Sequence, residues 1–571
     1  MRNGMQAGIV IALLFVTAGC AAPRSPSDGA TRTEQSPTTP KRIVAAVASE
    51  PPSMNSNIAR ALGSAAGAEA IGFMASSALA AFDHRGILRP QLVEAAPTAE
   101  NGQWKLFPDG RMEITWKIRA NAEWHDGTPV TAEDVVFTHK LTLDREVEVF
   151  RDPRPGYNLI DSIEAVDPHT VVTRWRQPHI WGDFAFSYAG DGTVLPQPRH
   201  ILERAYTEDK AGFLDLPYWT TQFVGSGPYK LKEWVSGSHV ILRANDRYVL
   251  GRPRIDEVEV RFIADSNTLV ANILAGAVDV TLGRALSLDQ AGTLTETVSG
   301  IGITLAPIGA QAAYPQFLNP NPPILSNVHF RRALLHATDR QQLVDTLMGG
   351  RTTIAHTFIN PLEADYGPIA SQVVEYGYDP QRAVQLMEEL GYRKGSDGQF
   401  ADGSGQKPTV EVRISGAGGQ RLLLAVAALW QQIGVPVDPQ IIPPQRTSDV
   451  EYRSNFPAFE IVRRGNFRFD LTGTLGSAGA PLPENRYIGN NRGRYQNADL
   501  DALFFDYHRT IAARERSALL GQIVRHVSDQ VVLLGLYNDI EPTVYSTRLR
   551  NVQGKFERST QVWNVHEWDL S

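Results

Sequence analysis

Met112, Ile114, Trp116 and Ile118 alternate with polar residues, the period-two pattern of a half-buried strand. Asp126-Gly127-Thr128-Pro129 follows as a turn, since Gly accepts positive φ and Pro fixes its own. Thr131 then stands as a helix N-cap, with Glu133 and Asp134 in the first turn, where acids complement the helix dipole. Val135, Val136 and Phe137 open the apolar face of that helix. The same reading predicts a strand over 43–48, a loop over 49–55 and a helix of small residues over 65–82. It predicts a hairpin over 160–175 turning at Asp167-Pro168, a strand over 255–263 and an amphipathic helix over 269–274. Asp339 with Gln342 three residues on resembles a capping box. A helix over 380–390 puts Ala383, Leu386, Met387 and Leu390 on one stripe. A strand over 410–414, a glycine loop and a helix over 422–433 follow, with a last short strand at 535–537. Strands and helices alternating in this way predict an α/β protein.

A chain of 571 residues has room for about three or four domains. Its net charge of −7 weighs against a nucleic-acid partner, which favours a basic face. The only cysteine is Cys20, so disulfides within the chain are excluded. Arg2 and the apolar run 9–18 lead to Ala18-Gly19-Cys20, the layout of a lipoprotein signal over 1–20 in which Cys20 carries the lipid. The competing reading is an ordinary secretory peptide cut elsewhere. Residues 21–42, rich in Ser, Thr, Pro and Gly, bury too little to fold and are expected to be a tether.

Enzyme signatures fail one by one. Gly225-Ser226-Gly227-Pro228 lacks the Lys-Ser/Thr of a phosphate-binding loop. The glycine loop over 415–419 has Arg421 where a dinucleotide fingerprint needs its third glycine. No G-x-S-x-G or H-E-x-x-H occurs. No cofactor is expected, and His125-Asp126 reads as turn chemistry, with no metal ligand near it.

Ile118, Arg119, Trp124, His125, Asp126, Gly127, Pro129, Ala132, Asp134, Val135 and Phe137 fit, in order and without gaps, a motif of the extracellular solute-binding proteins of family five. The chain resembles that peptide, dipeptide and nickel-type family again at 83–92, at Gly225 to Tyr229, at 245–253, at 276–280, and at Asn319, Pro323, Arg331, Ala333, Ala337, Asp339 and Arg340. The resemblance implies a periplasmic-binding fold with two α/β lobes, a hinge and an extra inserted domain. Lobe I would comprise 43–82, 222–305 and 535–571, the insert 83–221, and lobe II 306–534. It further implies the binding component of an ABC importer, held at the periplasm or cell surface, that passes a peptide or other small polar solute to a membrane permease. A lipid-anchored hydrolase with paired carboxylates and an extracytoplasmic sensor on the same fold are the alternatives.

Ligands of α/β proteins bind beyond the carboxyl ends of strands, in crevices between lobes. This selects Ser53 and Asn55, Arg284, Tyr314, the stretch with Arg463, Gly465, Phe467 and Asp470, and Tyr537 as ligand-facing. Peptide-binding members of the family carry an aspartate near here that holds the peptide's α-ammonium. Matching Gly465 puts Phe469 at that position, one place before Asp470. Arg284, Arg463, Arg464 and Arg468 together predict a solute with an acidic group or many hydroxyls.

Overall fold

Met112–Lys117 is a strand that buries Met112, Ile114 and Trp116. It lies in a four-stranded antiparallel sheet ordered Trp104–Leu106, Met112–Lys117, Thr170–Trp175, Ile160–Asp167. The predicted hairpin is present: the Asp167 carboxylate accepts the His169 N–H at 2.8 Å across its turn. The helix Ala132–Leu143 begins at Thr131. The buried Asp134 carboxylate accepts the N–H of Thr131 at 2.8 Å, the N–H of Arg199 at 2.8 Å and the Trp124 indole N–H at 3.2 Å. The computed structural model describes residues 40–63, 67–150, 156–188, 195–556 and 559–571. The signal, Cys20 and nearly all of the tether therefore lie outside the described residues.

His125 is a structural pin. Its Nδ1 accepts the Gly225 N–H and its Nε2 donates to the Gly227 carbonyl, each at 3.1 Å, so the ring is neutral with its proton on Nε2. Burial pushes it down to about 4. The two glycines admit the close approach: a Cβ on Gly225 would stand 1.9 Å from the Ala75 carbonyl oxygen. Gly225 to Pro228 is thus a tight packing turn.

A ten-stranded mixed sheet runs through residues 41–571, which form one compact unit. At its centre the long strands Ile301–Pro315 and Leu534–Ser546 pair antiparallel. On one side follow Val280–Thr281, Arg42–Val47, Glu257–Phe262, His239–Ala244 and Tyr229–Val235. On the other follow Phe459–Arg464, Val410–Ser415 and Val437–Ile442. The first half-sheet packs Ile43, Val47, Val258, Val260 and Leu282 into one core. The second packs Val410, Val412, Ile461 and Leu536 against Phe330, Leu386, Met387 and Trp430 of its helices. Asn327 and Asp339 cap two of those helices, accepting the N–H groups of His329 and Gln342 at 2.9 Å each.

Two expectations need correction, and one stands. The helix placed over 65–82 ends at Ala75, and Ala80–Phe82 is a strand paired with Leu88–Pro90 around the Asp83 to Gly86 turn. The loop over 49–55 stands as read; it leads into a helix, Ser56–Ala61, which Asn55 caps by accepting the N–H of Asn57 and Ile58. Tyr314 and Tyr537 lie within strands, Tyr314 in Ile301–Pro315 and Tyr537 in Leu534–Ser546, and not in loops after them. The first of those strands went unpredicted because Gly302, Gly309 and Pro307 interrupt its pattern; its register shifts between Pro307 and Gly309, where a bulge accommodates the proline.

Candidate functional site: the two-strand neck and the loop beside it

From Leu305 to Ile308 and from Ile540 to Pro542 the central pair has no third strand beside it among the described residues. Two strands alone therefore connect the half-sheets. A second register shift, between Gln311 and Ala312, closes this neck on its far side.

Polar side chains gather on the neck. Glu541, 4% exposed at its side chain, accepts the Arg284 Nε–H at 3.2 Å and the Lys555 ammonium at 2.9 Å. Gln561 donates to it at 3.4 Å and accepts the Gly283 N–H at 2.5 Å. Asp539 accepts Gln311 Nε2 at 3.3 Å. Burial raises the Asp539 carboxyl above its ordinary range, and Arg284 opposes that shift. Arg463, Gln311 and Tyr537 stand in register across three strands. Arg463 Nη1 and Arg464 Nε are buried without a hydrogen-bond partner. A Cβ on Gly309 would lie 2.2 Å from the Arg464 carbonyl oxygen, so only glycine permits this close strand crossing.

The strand Phe459–Arg464 runs into the loop Gly465 to Asp470. Asparagines hold the loop from behind. Asn466 Nδ2 donates to Asn538 Oδ1 at 2.8 Å, and Asn538 Nδ2 donates to Thr353 Oγ1 at 2.9 Å. Arg468 braces it in front: its N–H donates to Glu363 at 3.0 Å, and its guanidinium pairs with Asp365. That guanidinium lies 5.3 Å from the Trp181 ring centroid and 5.9 Å from that of Phe469. Phe469 packs 4.1 Å from Trp181 and 4.5 Å from Phe184. Phe184 lies 5.1 Å from Phe82. Phe469, Trp181, Phe184 and Phe82 together make an aromatic box at the loop. Asp183, enclosed beside it with Oδ1 unpartnered, is pushed up to about 7 by burial, against the pull of Arg468 and Arg516.

The residues selected from sequence fall into three places. Arg463, Gly465, Phe467 and Asp470 share the strand end and its loop, with Tyr537 in the adjoining row. Phe467 is fully buried and packs edge-on against Phe556 at 4.1 Å, so it is core. Asp470 sits at the N-cap position of Leu471–Leu475. Tyr314 is buried in the same aromatic cluster, which raises its phenol well above the usual range. Arg284 is on the neck but is neutralised by Glu541. Ser53 and Asn55 are buried elsewhere: Ser53 donates to the Trp219 carbonyl at 2.9 Å, and Asn55 Nδ2 donates to Gln197 at 3.4 Å. Sequence reading missed Gln311, Asp539, Glu541, Lys555 and Gln561, whose partners are remote in the chain. Among the described residues no group of three His, Cys, Asp or Glu side chains is placed to hold a metal, and no helix is long and apolar enough to cross a membrane.

A protein-family model, bacterial extracellular solute-binding proteins, family 5 middle, matches residues 97–493. The chain belongs to this family. The oligopeptide-binding protein AppA of Bacillus subtilis is 26% identical over 476 residues, covering 81% of this chain and 82% of that protein. Among solved structures, AppA of Bacillus subtilis in complex with a nonapeptide matches with a TM-score of 0.66 at 22% identity, over 93% of this chain and 100% of AppA. NikA from Brucella suis in complex with Fe(III)-EDTA matches with a TM-score of 0.73 at 18% identity, over 93% of this chain and 100% of NikA. The periplasmic-binding-type α/β fold implied by the sequence is therefore the fold of the chain.

Proposed function

We propose that this chain is the solute-capturing component of an ABC importer, taking an oligopeptide or another polar solute between two lobes and passing it to a membrane permease. Family membership carries the reading, and the two-strand neck between half-sheets supports it by supplying a hinge. The lobe and insert boundaries drawn from the sequence belong to the same proposal. So does the absence of catalysis: the protein returns its solute unchanged. The hydrolase and sensor alternatives have no observation in their favour.

Arg463 is proposed as the residue that meets an acidic group of the solute. Its unpartnered Nη1 supports this, whereas Arg284 and Arg468 are neutralised by acids of the chain. The solute released by acid from protein purified after export, identified by mass spectrometry, is the ligand to titrate back by calorimetry. One solute should bind per chain, and Arg463→Ala should weaken binding by about 1.5–3 kcal/mol, the worth of a charged hydrogen bond. Unchanged affinity, a purely cationic solute or chemical conversion of the solute counts against the proposal.

Anchorage through a lipid on Cys20, at the periplasm or cell surface, is the remaining part of the reading. The wild-type protein should partition into the detergent phase of a phase separation, and Cys20→Ala should move it to the aqueous phase or leave it uncleaved. A wild-type protein already in the aqueous phase refutes lipidation without touching solute capture.

A further inference from the structure

The segment that brings Trp181 onto Phe469 is fastened by two histidines. His179 and His508 lie ring on ring, with centroids 5.3 Å apart and planes 3° from parallel. They are 4% and 8% exposed. Trp175 also stacks on His179, at 6.1 Å and 10°. Gly156 leaves room for the ring: a Cβ there would stand 2.3 Å from its Cε1. One backbone bond crosses the joint, the Ile180 N–H donating to the His508 carbonyl at 2.8 Å. His179 Nδ1 accepts the Trp181 N–H at 3.3 Å, which fixes it as an unprotonated nitrogen. His508 Nε2 meets Thr472 Oγ1 at 2.6 Å, and its Nδ1 has no partner.

We propose that the stacked His179–His508 pair is an acid-sensitive joint that positions residues 176–186 against the loop 465–470, closed while both rings are neutral and opened when they take protons. Its functional meaning rests on the reading of that loop as solute-facing; the joint itself does not.

The surrounding charges leave the rings without help. On the histidine's own segment, Asp183 is drawn to Arg468 and Arg516, and Arg176 donates to the Asn158 carbonyl. On the helix Ala498–Arg509, Arg509 lies over Phe505 at 4.8 Å, and the Tyr507 phenol is buried. Asp506 is exposed on that helix. Asp470 lies on the loop that leads into the helix of Thr472, and His139, on the helix Ala132–Leu143, is bound to the Tyr157 hydroxyl at 3.0 Å. No ion pair reaches either ring among the described residues. Burial, and for His179 also the facing His508, hold the pair down to about 3 and about 4. Protonating one ring in place puts a charge in a sealed site; protonating both puts like charges face to face.

The sign follows from linkage. Separated, the rings are solvated and titrate near 6.5, so the closed joint is fully favoured above about pH 6.5. As pH falls toward 4, the separated state binds protons that the closed state refuses. Opening should rise about tenfold per pH unit lost for one proton and about a hundredfold for two. It would lift Trp181 from Phe469 and from Arg468, changing the wall of the loop.

Hydrogen exchange of the full chain, corrected for intrinsic rate, tests this between about pH 7.5 and about pH 4.5. The Ile180 amide should lose protection by more than about tenfold per pH unit below about pH 6, while amides of Met112–Lys117 and Phe459–Arg464 keep theirs. His179→Phe retains a flat ring without a titrating nitrogen and should cut the slope to that of one proton; His508→Gln should do the same, and the double variant should be flat. If the double variant fails to fold, the two single variants decide. Constant protection of Ile180 in the wild type, an undiminished slope in the single variants, or a parallel loss in the reference strands overturns the proposal.

Discussion

Glu460→Ala is expected to destabilise the protein by about 3–5 kcal/mol, the cost of stranding buried charge. The Glu460 side chain is 0% exposed and is the single carboxylate among three guanidinium groups. Arg413 reaches it at 3.2 Å, Arg492 at 2.7 Å and 3.0 Å, and Arg453 closes the third side. Burial alone would raise its carboxyl; Arg492, Arg453 and Arg413 outweigh it and hold the group below its ordinary value. Positive charge is nevertheless in excess. Burial lowers Arg492 to about 10, and Arg453 and Arg464 push the same way. Part of the excess is absorbed by the C-terminal carbonyls of the helix Val450–Ser454: Arg413 donates to Arg453 O at 2.6 Å and to Tyr452 O at 3.1 Å. Removing Glu460 takes away the one carboxylate that touches all three guanidinium groups and leaves those carbonyls to hold the charge. Denaturant midpoints of wild type, Glu460→Gln and Glu460→Ala measure the cost, with Gln intermediate because it keeps a hydrogen bond. A loss below about 1 kcal/mol for Glu460→Ala would mean that the guanidinium groups find solvent instead.

Arg468→Met should cost about 2–3 kcal/mol, less than a sealed pair because its side chain keeps 23% of its surface and that of Asp365 keeps 25%. The substitution preserves length and contact with Trp181 and Phe469 but removes the guanidinium from beside Asp365 and Glu363. The amide of Asp470, which donates to the Phe467 carbonyl at 2.8 Å, should then exchange faster, while Phe459–Arg464 stays protected. Equal stability together with unchanged exchange in the loop would show that the asparagine ladder alone holds it.

What could be read from the sequence was local. The alternation at Met112 to Ile118, the turn at Asp126 to Pro129 and the cap at Thr131 each declare themselves within a few residues, and all three stand as read. The helix expected over 65–82 failed because Ala80–Phe82 obeys a partner strand and not its own small-residue composition. Ile301–Pro315 escaped because a bulge makes Pro307 tolerable, and bulges depend on the opposite strand. The arginines were legible as charges but their neutralisation was not. Glu541 lies 257 residues from Arg284, and Asp365 lies 103 residues from Arg468. His125 read as turn chemistry from its neighbours in sequence, but its partners, the Gly225 amide and the Gly227 carbonyl, lie about a hundred residues away and were not legible.

The central pair has a consequence for the order in which the molecule can be made. Ile301–Pro315 emerges from the ribosome with both edges bare, because its partners, Phe459–Arg464 and Leu534–Ser546, both come later and the longer of them follows the whole second half-sheet. Val280–Thr281 waits for the same strand, at Tyr545. Neither half can complete its hydrogen bonding on its own, and the sheet stays open until Leu534–Ser546 has been synthesised. Closure is a single late event of high sequence separation, slow by its loop entropy. A chain built this way presents an unfinished, threadable form for most of its synthesis.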